Sequence, residues 1–123
     1  MEIHERPCDV PGVRLLALDG GLDQTNTEAF VARMDEVLQA GPTRVVLDLE
    51  RLTYISSWGL AALVRAHHRS CVRGGRLAFA NLHGAVAAVL KVSRLDRLFD
   101  LYRTVEEAVR GVAGGPAGAS GKP

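Results

Sequence analysis

The sequence predicts a single α/β domain built on a largely parallel or mixed sheet of about four to five strands, with about four helices. Three observations carry this. Short β-branched or apolar runs alternate with segments of helical period from residue 44 onward, as in RVVLDL at 44–49 and RLAFA at 76–80. Two segments open with the S/T-x-x-E spacing of a helix start, Thr25 to Glu28 and Thr104 to Glu107. The chain has 123 residues, 47% of them hydrophobic, which suits one core.

Each element follows in order. Segments 2–8 and 13–18 flank Val10-Pro11-Gly12, where proline presets one turn dihedral and glycine accepts a positive one, so a hairpin of two strands opens the domain. Gly20-Gly21 is expected to break the second strand. In the first helix Phe30, Val31, Met34, Val37 and Leu38 share a stripe, while Glu28, Arg33, Asp35 and Glu36 lie off it. That helix covers one face of a sheet, and Gly41-Pro42 ends it. RVVLDL has no helical period and fits a buried strand, with 52–56 as the connection that follows. A second amphipathic helix, 57–73, is expected to turn Leu60, Leu63, Val64, His67 and Cys71 toward the core and to stop at Gly74-Gly75. RLAFA alternates as a strand, 84–92 is an Ala-rich helix, and 98–101 is a short apolar run. A last helix from Thr104 places Val105, Ala108, Val109 and Val112 on one side. The domain spans 1–112. Residues 113–123, AGGPAGASGKP, offer nothing to bury and read as a disordered tail.

Composition excludes several function classes. Fifteen basic and fourteen acidic residues give a net charge of +1, too little to hold nucleic acid or an anionic membrane surface. No run approaches the ~18 apolar residues needed to span a bilayer, and the N-terminus has no basic head followed by an apolar stretch. Cys8 and Cys71 lack the spacing of a zinc or redox motif, which suits a reducing cytoplasm. His67 and His68 are adjacent and point to different sides of a helix, unlike the i, i+4 pair of a zinc site, so no metal is expected. A G-x-S-x-G elbow and the Walker and dinucleotide loops are missing, so neither catalysis nor a cofactor is expected. Arg65, Arg69, Arg73 and Arg76 lack interleaved aromatics and read as a solvated face.

The informative stretch is VVLDLERLTYISSWGLAAL at 45–63, where a buried strand leads into a helix whose start holds Ser56 and Ser57. Free amides and the positive end of the helix dipole favour an anion there, by about 0.3 to 1 kcal/mol at an exposed site. Serine is also a favoured N-cap, and both roles can hold at once. A phosphoryl group would add close to two negative charges without breaking the fold. Trp58 falls off the expected core face and suits an exposed anchor for a partner.

GGLD at 20–23, VVLDL at 45–49, YISSWGL at 54–60, RGGRLAFANL at 73–82 and VLKVSRLDRLF at 89–99 come in an order that resembles STAS domains of the anti-sigma-factor antagonist class. The resemblance implies the STAS fold, a mixed sheet with helices mainly on one face. It implies that Ser57 is phosphorylated, with Ser56, standing where the family usually has Asp, as the second candidate; Gly59-Leu60 match the family directly. It also implies partner switching: the unphosphorylated protein binds an anti-sigma factor that is an ATP-binding serine kinase of histidine-kinase-like fold, a sigma factor is released, and a serine phosphatase resets the cycle. Asp23, Thr25 and Asn26 are expected beside the switch helix, completing a partner-binding set with Ser56, Ser57, Trp58 and Gly59. An alternative within the same resemblance is an unphosphorylated adaptor of a transporter or stressosome-like assembly.

Overall fold

A computed structural model describes residues 1–39 and 42–114. The elements run β1 (Glu2–Arg6), β2 (Val13–Leu22), α1 (Thr27–Leu38), β3 (Arg44–Ile55), α2 (Ser57–Val72), β4 (Arg76–Ala80), α3 (Gly84–Val92), a 3-10 turn (Leu95–Arg97), β5 (Asp100–Tyr102) and α4 (Val105–Ala113). They build one sheet in the order β1-β2-β3-β4-β5. β1 is antiparallel to β2 and every later pairing is parallel, so the sheet is mixed and its helices are crossovers. Among the described residues no helix is long and apolar enough to cross a membrane.

Period-2 alternation divides the core between the two faces. Leu16, Leu18, Val45, Leu47, Leu77 and Phe79 point to the face covered by α1, α2 and α3, where they meet Phe30, Met34, Leu63, Val86 and Leu90. Val13, Leu15, Val46, Ala78 and Ala80 point to the other face, which α4 covers with Ala108, Val109 and Val112. Helices thus lie mainly on one face, as expected. β4 is buried along its whole length because both of its faces are covered.

Four expectations are corrected. Gly20-Gly21 do not break β2, which stays paired with β3 out to Leu22 and Ile55. The register shifts there, and Gly20 takes φ +110, a conformation that lets the extra residue be absorbed as a bulge. β3 likewise runs through the expected connection at 52–56 as far as Ile55, because Leu52 and Ile55 still find the core. The core face of α2 is rotated from the one expected: Gly59, Ala62, Leu63, Ala66 and Ser70 are buried, Leu60 and Val64 only partly, and Cys71 is exposed. Small residues let this helix sit close to the sheet, so the largest apolar side chains do not define its inner stripe. Finally, Arg76 is no part of a solvated arginine face: it is 6% exposed. Its Nη2 donates to Asp100 Oδ2 at 2.8 Å and its Nη1 to the Gly111 carbonyl at 2.6 Å. Arg44 donates to the next carbonyl, Val112. Two arginines from the sheet therefore satisfy the open carbonyls at the end of α4.

The helix-start signals fared differently. Thr104 accepts from the Glu107 amide at 3.1 Å, as its spacing predicts. The Thr25 to Glu28 box does not form, and Asn26 precedes α1 instead. The expected stop at Gly41-Pro42 and the tail beyond Gly114 lie wholly or partly outside the described residues.

Candidate functional site

The ends of β2 and β3 bring the predicted residues together. The Ser56 amide donates to the Leu22 carbonyl at 2.9 Å, tying the start of α2 to the end of β2. Gly59 makes that approach feasible, because a Cβ there would lie 2.7 Å from Ile55 Cγ1, 2.7 Å from the Leu22 carbonyl oxygen and 3.0 Å from Leu22 Cγ. Gly59 is itself buried, so its part is to seat the helix.

Capping and exposure fall on different serines. Ser56 is the N-cap, in extended conformation, and its Oγ accepts from the Gly59 amide at 3.3 Å. Ser57 is the first helical residue; it is exposed, and its hydroxyl makes no hydrogen bond among the described residues. The first turn of α2 contains no acidic side chain, so its dipole is not offset locally.

The neighbouring loop is closed by its own side chains. Asp23 Oδ1 accepts from the Thr25 hydroxyl at 2.6 Å and from the Thr25 amide at 2.8 Å. These bonds, the hydroxyl first, hold the exposed Asp23 carboxyl below its ordinary pKa. Asn26 Oδ1 accepts from the Asp23 amide at 2.9 Å, while Asn26 Nδ2 donates to the Gly21 carbonyl at 2.8 Å. Asn26 thus ties the loop together, a role that the S/T-x-x-E pattern concealed. Asp23 and Thr25 are left on the rim beside the start of α2.

Two exposed aromatics flank this end of the molecule. Trp58 is 57% exposed, as its position off the core face predicts, and Tyr54 is 53% exposed. Tyr54 has no signal in a sequence whose residues 52–56 read as a connection; as a strand residue it leaves the sheet beside Gly21. Trp58 also walls a groove of about 390 Å³ between α1 and α2, over Val31, Ala32, Ala61 and Ala62, with Glu28, Asp35 and Arg65 on its rims.

Other titratable clusters stand apart. His67 is half-buried against Phe99, with ring centroids 5.5 Å apart, and burial lowers its pKa. Glu2, His4 and Asp19 come close enough together to share a cation on the surface of β1 and β2, but His4 already meets Glu2 and Asp19 already meets Arg51.

The arrangement has counterparts among known proteins. The chain is 30% identical over 111 residues to the anti-sigma-F factor antagonist RsfB of Mycobacterium tuberculosis, covering 88% of each. It is 27% identical over 92 residues to the anti-sigma F factor antagonist of Paenibacillus polymyxa, covering 74% of this chain and 79% of the other. The crystal structure of TM1081 from Thermotoga maritima superposes with a TM-score of 0.82 at 25% identity, covering 90% of this chain and 94% of that one. With the family model for the STAS domain matching residues 9–108, the chain belongs to the STAS domain family.

Proposed function

We propose that this protein is an anti-sigma-factor antagonist that works by partner switching at Ser57. In its unphosphorylated form it binds an anti-sigma factor that is also an ATP-binding serine kinase, and a sigma factor is released. Phosphorylation of Ser57 ends that binding, and a serine phosphatase restores it. The chain acts by binding and catalyses no step. One observation carries the reading: at the start of α2 the exposed Ser57 hydroxyl is free of hydrogen bonds among the described residues, while the adjacent Ser56 performs the capping. A phosphoryl group can therefore be added and removed with the helix start intact, and it changes the charge of the surface without changing the fold. The RsfB and Paenibacillus relatives, both named as anti-sigma-F factor antagonists, support the same role. Asp23, Thr25 and Trp58 would form the rest of the contact surface, with Asn26 and Gly59 holding it in shape.

The test uses the purified cognate kinase and calorimetric titration. Ser57→Ala should bind with wild-type affinity and resist ATP-dependent weakening. Ser57→Asp should bind about tenfold or more weakly, as expected for an unmatched charge placed in an interface. Both variants should melt with the wild type. An Asp variant that bound as tightly as wild type would end the switch reading.

A further inference from the structure

We infer that the partner surface around Ser57 extends across the ends of β2 and β3 to Tyr54, whose ring is a second aromatic anchor for the anti-sigma kinase. The inference rests on the reading of Ser57 as the phosphorylated residue. Tyr54 is 53% exposed, yet its ring is held. β3 carries it opposite Gly21 of β2 in the parallel ladder, and the ring takes the space that a Gly21 side chain would fill. A Cβ on Gly21 would stand 3.3 Å from Tyr54 Cδ2 and 3.4 Å from Tyr54 Cβ, closer than carbon atoms sit comfortably. Gly21 does not share the positive φ of its neighbour Gly20, so its backbone does not call for glycine. What glycine provides at 21 is a seat for the ring. The Gly21 carbonyl also accepts from Asn26 Nδ2, so the ring and the loop that carries Asp23 and Thr25 rest on one support.

What covers Tyr54 follows from where the kinase must act. To phosphorylate Ser57 it must bring its active site to that hydroxyl, and a stable interface centred there covers about 800 Å² of each partner, a disc of roughly 16 Å radius. Tyr54 precedes Ser57 by three residues, so their backbones are at most about 11 Å apart. Tyr54 falls inside the footprint. Val72 is more exposed, at 70%, but it ends α2 about 22 Å along the axis from Ser57 and falls outside it. Exposure alone therefore does not select Tyr54; its place does. Tyrosine and tryptophan are enriched among binding hot spots, and a ring already held in place loses little conformational freedom on binding. The Tyr54 hydroxyl makes no hydrogen bond among the described residues, so the fold fixes the ring and not the oxygen. The ring is the part that the kinase grips.

The test uses the full chain, the purified cognate kinase and ATP, with affinity read by calorimetric titration and Ser57 phosphorylation by mass spectrometry. Tyr54→Ala should raise the dissociation constant about tenfold, the size of a hot-spot truncation. It should raise KM for phosphorylation and leave kcat within about twofold, because a contact made equally before and during phosphoryl transfer acts on KM. Tyr54→Phe keeps the ring and should bind within about threefold of wild type. Val72→Ala should bind as wild type does. Both positions are exposed, and circular dichroism confirms that the variants keep their fold. A Tyr54→Ala protein that binds as tightly as wild type overturns the inference, as does one that lowers kcat at unchanged KM. So does a Phe variant as weak as the Ala variant, or an equal loss in Val72→Ala. Each of these results leaves the switch reading intact if Ser57→Asp still weakens binding. A wild type that the kinase neither binds nor phosphorylates ends both.

Discussion

Replacing Gly59 with Ala tests how the start of α2 is seated. The added methyl would stand 2.7 Å from both Ile55 Cγ1 and the Leu22 carbonyl oxygen, whereas carbon contacts are comfortable near 3.5–4.0 Å. Rotamer change offers little relief, since one of the two atoms belongs to the backbone and already accepts the Ser56 amide. Overpacking of this kind costs about 1–3 kcal/mol. Alanine returns at most about 1 kcal/mol through helix propensity. Taking the middle of the overpacking range, about 2 kcal/mol, the net loss is about 1–2 kcal/mol. With a urea dependence of about 2 kcal/mol per molar, the middle of the usual range for small proteins, the unfolding midpoint should fall by about 0.5–1 M. Urea titration followed by circular dichroism measures it. An unchanged or raised midpoint would show that α2 can move off Leu22 freely, and the account of a glycine-seated helix start would fail.

Two further outcomes follow from the buried polar groups. Arg76→Ala should cost about 3 kcal/mol or more, because it strands Asp100 and the Gly111 carbonyl in the interior; thermal unfolding should shift down by about 10 °C. A loss below about 1 kcal/mol would mean that the apolar side of α4 holds it alone. His67 should make stability depend on pH: burial lowers its folded pKa below the ordinary 6.5, with Asp100 opposing and His68 reinforcing the shift. The unfolded chain then binds more protons below about pH 6.5, so the His67 contribution is fully present above that pH and is lost as pH falls through the folded value. Urea midpoints at about pH 7.5 and about pH 5.5 should converge in His67→Phe relative to wild type, and an identical pH dependence in the two proteins would refute the assignment.

What could be read from the sequence was what local chemistry determines. RLAFA, the Ala-rich helix and the Thr104 cap announced themselves, as did the serines ahead of an apolar period. What tertiary pairing decides was hidden. Gly20-Gly21 has the composition of a break, yet β3 supplies hydrogen-bonding partners beyond it and the bulge is tolerated. Thr25 fits a capping box, but the loop instead closes through Asn26 and Asp23, a choice set by where β2 ends. The inner face of α2 does not follow side-chain size, because close approach to the sheet rewards Gly59, Ala62 and Ala66. Arg76 looked like one member of an exposed series, and only the distant Asp100 and Gly111 explain its burial.

The two outer strands of the sheet set how this protein can associate at all. An unpaired strand edge is a template for uncontrolled growth, and proteins blunt it with charge or brevity. Here β1 carries Glu2, His4, Glu5 and Arg6 in five residues, and β5 is only three residues long. Neither edge invites a further strand, so crowding in a concentrated solution meets side chains on helices before it meets open backbone. Association is thereby steered toward surfaces whose contacts are reversible and can be altered by a single charge.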